Sequence, residues 1–239
     1  ELITRNSFLS LTEAIKEIHF PVSHETAAKA RERLAFDELF LLQLAARRRR
    51  ESWKQQQKSI PFTNKQAAAK IKHFIGQLPF TLTQAQQAAV DDILKDLEKD
   101  KAMNRLLQGD VGSGKTIVAA IAMYATHLNG YQSVLMAPTE ILAEQHYAGL
   151  TGLLEPLGVK VRLVTGSKKL TKEASDFSIL VGTHAVLSDK IQFDKLGFIA
   201  IDEQQRFGVA QRGSIRNKGT NPHLLTMTAT PIPRTVMLT

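Results

Sequence analysis

The sequence contains no cysteine and one tryptophan, and aromatic residues occupy only 6% of its 239 positions. Without cysteine there is no disulfide framework and no thiolate metal site, which agrees with a reducing, cytoplasmic setting. No apolar run approaches the ~20 residues of a membrane span, and no secretory leader opens the chain, so no membrane partner is expected. Acidic residues are the scarcer charge: 23 Asp and Glu against 31 Lys and Arg leave a net charge of +8. The excess sits early, with 14 basic and 8 acidic residues in 1–78 against 17 and 15 in 79–239. The first third is therefore where a polyanion or an acidic partner would be met.

The most informative stretch that is present is Gly109-Asp110-Val111-Gly112-Ser113-Gly114-Lys115-Thr116. It fits G-x-x-x-x-G-K-[ST], and it lies between a short apolar run at Leu106-Leu107 and a helical stretch that stops at Asn129-Gly130. Glycines let successive backbone N–H groups turn inward, and the helix N-terminus adds partial positive charge. Lys115 is then placed for the β- and γ-phosphates of a nucleoside triphosphate, and the Thr116 hydroxyl for Mg²⁺.

Upstream, residues 1–78 read as helical. Ser10-Leu11-Thr12-Glu13 has capping-box spacing, and Leu11, Ile15 and Ile18 follow at helical intervals. A longer helix is expected over 25–50, its apolar positions Leu34, Phe36, Leu39, Phe40, Leu41, Leu42 and Leu44 needing cover from another domain. Arg47 to Arg50 close it, as contacts either to the helix dipole or to nucleic acid. Residues 51–59 are polar and read as a hinge or loose helix end, and 64–75 as a short helix closed by Gly76.

From Pro79 the pattern changes. A helix opens at Thr83, and apolar runs at 105–108, 133–137, 159–165, 178–181, 198–201 and 224–227 alternate with helix-length segments. That is the pattern of an α/β domain: a parallel sheet wrapped on both faces, with ligand loops at the strand C-termini. Polar clusters fall at those ends: the glycine loop, Pro138-Thr139-Glu140, Gly182-Thr183-His184, Asp202-Glu203 and Thr228-Ala229-Thr230. Asp202-Glu203 follows the apolar run Phe198-Ile199-Ala200-Ile201, so Asp202 suits a Mg²⁺-binding carboxylate and Glu203 a residue that positions or deprotonates water. Gln86 carries both a donor and an acceptor and can satisfy an adenine edge, Thr83 caps the same helix, and Phe80 offers a ring face to the base.

In order, Leu82-Thr83-Gln84-Ala85-Gln86, the glycine loop, Ala137-Pro138-Thr139-Glu140, Val181-Gly182-Thr183-His184-Ala185, Asp202-Glu203-Gln204-Gln205 and Thr228-Ala229-Thr230-Pro231 resemble the motifs of superfamily-two helicases and translocases of the DEAD/DEAH-like group. The longer strings, and the helical segment before them, resemble the branch of that group that remodels branched DNA in repair and recombination. Transcription-repair coupling translocases are the nearest alternative, and a non-helicase P-loop NTPase such as a small-molecule kinase is a further one. Gln205 stands where that branch often has histidine.

The resemblance implies a RecA-like P-loop NTPase lobe over 79–239, preceded by a helical linker segment over 1–78. It implies ATP on Phe80, Gln86, Gly109, Asp110, Val111, Gly112, Ser113, Gly114, Lys115 and Thr116, with Mg²⁺ at Thr116 and Asp202. Lys115, Asp202, Glu203 and Gln205 would act in hydrolysis. Pro138, Thr139, Gly182, Thr183 and His184 would face a DNA backbone, and Thr228 and Thr230 would couple hydrolysis to movement. The chain opens on Glu1 and stops soon after Pro231, which reads as a fragment lacking a second RecA-like lobe with its arginine fingers and a preceding wedge domain. Alone it would bind nucleotide weakly and unwind nothing.

Overall fold

A computed structural model describes residues 8–56, 59–168, 176–203 and 207–229, without the side chains of 49–56, 209, 210 and 212. It divides into two compact units.

In the first unit, α1 (Leu11–His19) starts from a complete capping box between Ser10 and Glu13, as the spacing predicts. Next comes α2 (His24–Gln56), 33 residues long. It continues into the stretch expected to be a hinge or loose helix end, because 51–56 contain no glycine or proline to stop it and several good helix formers. Ala14 and Ala30 are fully buried, the Phe8 ring lies 4.8 Å from that of Phe36, and Arg33 Nε donates to the Leu9 carbonyl at 3.0 Å. Leu39, Leu41 and Leu42 are exposed.

The second unit runs Gln57–Pro231, and so takes in 57–78 together with the sheet. Its elements are α3 (Ala67–Gly76), α4 (Gln84–Leu97), β1 (Asn104–Gln108), α5 (Lys115–Leu128), β2 (Gln132–Met136), α6 (Glu140–Leu154), β3 (Val161–Val164), β4 (Ile179–Gly182), β5 (Leu196–Asp202), α7 (Val209–Arg216) and β6 (His223–Thr228). Six strands form one sheet in the order β1-β6-β5-β2-β4-β3, every pairing parallel. Strand residues alternate between two cores. Leu135, Val181, Ala200 and Met227 face a thick layer with α3, α4, α5 and α6, whereas Val134, Leu180, Ile199 and Leu224 face a thinner one holding Ile215 of α7. This is the parallel α/β arrangement the sequence pattern implies and the resemblance describes as RecA-like. The strand expected at 159–165 begins only at Val161, because the Val159 N–H is spent on the Leu154 carbonyl at the end of α6. Among the described residues no helix is long and apolar enough to cross a membrane.

Residues 59–62 cross the N-terminal end of the sheet. The Ser59 and Phe62 N–H groups donate to Asp100 and Leu97 carbonyls, and the Phe62 ring stacks on Tyr131 and meets His223 edge-on. His223 is buried; its Nδ1 accepts the Met103 N–H at 3.1 Å, which puts the proton on Nε2, 3.2 Å from Ser59 Oγ. Burial pushes its pKa below the ordinary histidine value. The unfolded chain therefore takes up this proton at higher pH than the folded one, so the stabilisation is complete above the unfolded pKa of about 6.5 and is lost as pH falls below it. Urea unfolding is expected to give a free energy that declines as pH falls below 6.5, this one group contributing no more than ~1.4 kcal/mol per pH unit. His223→Gln should flatten that decline, and an unchanged slope would assign it elsewhere.

Candidate nucleotide site

The phosphate-type loop joins β1 to α5. Gly112 and Gly114 have φ of 80° and 79°, a left-handed backbone that a β-carbon would strain. At Gly114 a Cβ would also stand 2.4 Å from Gln86 Nε2. Val111 at the loop tip is 90% exposed. Lys115, the first residue of α5, folds back across the loop and donates from Nζ to the Gly109 and Asp110 carbonyls at 2.7 and 2.8 Å. The loop is thus curled around its own cation, and an anion seated there would take over those two hydrogen bonds.

Gln86 does more than face solvent. Its Oε1 accepts the Thr83 N–H at 2.9 Å, completing a capping box at the start of α4, while Nε2 donates to the Ser113 carbonyl at 2.8 Å. The glutamine therefore ties α4 to the glycine loop 27 residues on. Phe80 is half-exposed beside a shallow groove with Ile75, Leu78, Leu82 and Gln87.

Asp202 and Glu203 end β5, and β6 brings them to the loop. Gln108 of β1 pairs with Thr228, and Asp202 pairs with Met227, so one strand, about 10 Å, separates the glycine loop from the acidic pair. The end of β6 contacts both: the Gly109 N–H donates to the Thr228 carbonyl at 3.2 Å, and the Glu203 N–H to that of Met227 at 2.9 Å. The Glu203 carboxylate accepts the Ala229 N–H at 3.1 Å and the Thr228 hydroxyl at 3.4 Å. Its own backbone has φ of 50°, an uncommon conformation for a side-chain-bearing residue, which these bonds hold in place. The two candidate metal-binding groups, the Thr116 hydroxyl and the Asp202 carboxylate, both offer oxygen, the donor a hard divalent cation such as Mg²⁺ takes.

One member of the site escapes the sequence motifs. His146 Nε2 lies 2.8 Å from Asp202 Oδ2, and the two side chains are only 12% and 13% exposed. The available signal is its position: α6 buries Ala143, Leu150 and Leu154, and His146 interrupts that apolar stripe.

The remaining candidates occupy the same rim on β2 and β4, which pair through Met136 and Gly182. Thr139 caps α6, accepting the Leu142 N–H at 3.3 Å, and is exposed, while Pro138 is partly exposed. Glu140 reaches across to the loop after β3, accepting the Ser167 N–H and hydroxyl, and these bonds hold its pKa below the ordinary carboxylate value. Gly182 and Thr183 are buried. A Cβ on Gly182 would lie 2.2 Å from the Val164 carbonyl oxygen, so close strand packing already requires the glycine. His184 is exposed at the rim, its ring 4.9 Å from that of Phe207 and its Nε2 3.2 Å from Gln211 Oε1. Gln205 and Thr230 lie outside the described residues.

The DEAD/DEAH box helicase family model matches residues 83–239. The chain is similar to the ATP-dependent DNA helicase RecG of Synechocystis sp., 49% identical over 247 residues that cover 100% of this chain and 30% of the relative. Against RecG of Bacillus subtilis it is 46% identical over 237 residues, covering 95% of this chain and 34% of the relative. The chain spans about a third of the length of these relatives. A solved structure of RecG bound to a three-way DNA junction superposes with a TM-score of 0.82 at 38% identity, covering 99% of this chain and 32% of that one. The UvsW helicase of bacteriophage T4, at a TM-score of 0.54 and 18% identity over 68% of this chain and 60% of its own, shares the fold.

Proposed function

Because the chain belongs to the DEAD/DEAH box helicase family, we propose that it is the ATP-binding motor lobe of a DNA helicase that couples ATP hydrolysis to remodelling of branched DNA, working in the cytoplasm. In this reading 79–239 form the first RecA-like lobe and 1–78 the helical segment before it. The observation that carries the proposal is the meeting of the glycine loop and the Asp202-Glu203 pair at the end of β6, through the Gly109–Thr228 and Ala229–Glu203 hydrogen bonds.

The roles follow from position. The backbone of 109–114 and Lys115 hold the phosphates, with Gln86 anchoring the loop from behind and Phe80 flanking the base. Thr116 and Asp202 would hold Mg²⁺, which supplies neutralisation of the phosphate charge. Glu203, steadied by Ala229 and Thr228, orients the attacking water and accepts its proton. The same bonds give β6 a direct hold on the base, so Thr228, with Thr230 and Gln205, is suited to relay hydrolysis to neighbouring parts of the motor. At the rim Pro138, Thr139 and His184 are the candidates for DNA backbone contact, with Gly182 and Thr183 shaping the strand end beneath them. The excess positive charge lies mostly in residues 1–78, with 14 basic against 8 acidic residues, so that segment is where a polyanion is drawn in by charge. A second RecA-like lobe and a wedge domain of the same protein are the proposed partners.

The test is ATP turnover by the full-length gene product with DNA of defined shape. A three-way junction is expected to stimulate turnover at least about tenfold more than linear duplex of equal length, roughly 1.4 kcal/mol of discrimination. Equal stimulation by both would contradict the branched-DNA assignment, and no stimulation by either would remove DNA from the proposal.

A further inference from the structure

The His146–Asp202 contact has no part in the roles above. Taking the nucleotide site as assigned, we propose that His146 is a positioning residue for the magnesium-binding carboxylate, holding Asp202 in one orientation from α6. A carboxylate at the end of a strand turns easily about its last torsion, which is broad and nearly two-fold. A hydrogen bond of 2.8 Å from an imidazole Nε2 to Oδ2 removes that freedom and leaves Oδ1 as the oxygen to face a metal or its water shell.

Three features make the contact a built one. The pair is shielded, with both side chains near 12% exposure, so the bond is not dissipated in solvent. His146 sits among the buried positions Ala143, Leu150 and Leu154, where an apolar residue would serve packing alone, so a polar group here needs a partner inside. Asp202 also belongs to β5, whose neighbour β2 leads through Thr139 into α6, so carboxylate and imidazole are set by adjacent strands in fixed register.

The experiment measures binding of a fluorescent N-methylanthraniloyl ADP to the full-length gene product as Mg²⁺ is titrated, and again in EDTA. Removing the partner of a metal-binding group typically weakens metal affinity 10- to 100-fold. His146→Ala is therefore expected to raise the half-saturating Mg²⁺ concentration at least about tenfold while leaving metal-free ADP affinity within about twofold. His146→Gln, whose amide nitrogen falls where Nε2 stands, should restore the wild-type value to within about threefold. His146→Asn, whose nitrogen falls at Nδ1 and stops short of Asp202, should behave like His146→Ala and serves in its place if the alanine variant unfolds. Wild-type Mg²⁺ dependence in both short variants, failure of the glutamine rescue, or a parallel loss of metal-free ADP affinity would each overturn the proposal. A wild-type protein whose ADP affinity ignores Mg²⁺ would overturn the metal assignment as well, which separates failure of the site from failure of His146.

Discussion

Glu203→Gln is expected to keep ATP affinity within about threefold and to lower turnover by at least 10²-fold, the smaller end of what a positioned general base supplies. The substitution keeps the side chain's size and removes its ability to take a proton. It also leaves one carbonyl oxygen to receive the Ala229 N–H that now bonds Oε1 at 3.1 Å, so the end of β6 is not released. The expected signature is a fall in kcat at nearly constant KM, as for an interaction that matters only in the transition state. Steady-state ATPase assays of the full-length gene product, with equilibrium binding of nucleotide in parallel, give both numbers. Turnover within tenfold of wild type would take Glu203 out of the role of base.

Lys115→Ala should act on binding and turnover together. Its ammonium bonds two loop carbonyls, at 2.7 and 2.8 Å, in the curve where phosphates are proposed to sit. Each is charged at the donor only, and on phosphate such bonds become charge-assisted at both ends. Their loss is expected to lower kcat/KM by about 10³-fold or more, in line with removal of a preorganised donor from developing charge. The fold should be untouched, since Lys115 opens α5 and the helix is buried only from Ile117 onward. A variant with wild-type kcat/KM would show that the loop is ornamental. The contrast with Glu203→Gln, which spares binding, separates the residue that holds phosphate from the one that handles water.

Much of this was legible in the sequence because it is written locally. A glycine loop declares itself by spacing, a capping box by Ser10 and Glu13 three residues apart, and buried parallel strands by short apolar runs between helix-length segments. The rim residues followed, since strand C-termini are where α/β loops converge. What escaped depends on contacts between distant segments. His146 is one polar residue in an apolar stripe, and its partner is 56 positions away on another strand. Beside the nucleotide role proposed for it, Gln86 bonds Ser113 through its amide, a contact no local pattern announces, because the turn of the glycine loop returns a carbonyl to α4. Gly182 reads as a backbone-approach residue for DNA. The distance to Val164 across the β3–β4 pair shows that packing alone demands it. Residues 59–62 joined the sheet unit through Phe62 and the buried His223, a pairing no local pattern announces.

The central claim is that Lys115, Thr116 and Asp202 converge on one metal–triphosphate. Its most direct test is anomalous diffraction from crystals grown with ADP, beryllium fluoride and Mn²⁺ in place of Mg²⁺. A single manganese peak is expected beside the Thr116 hydroxyl, reaching Asp202 directly or through one water, with Lys115 Nζ about 3 Å from the β-phosphate or the fluoride. A manganese peak remote from both oxygens, or nucleotide bound away from the loop of 109–116, would contradict it.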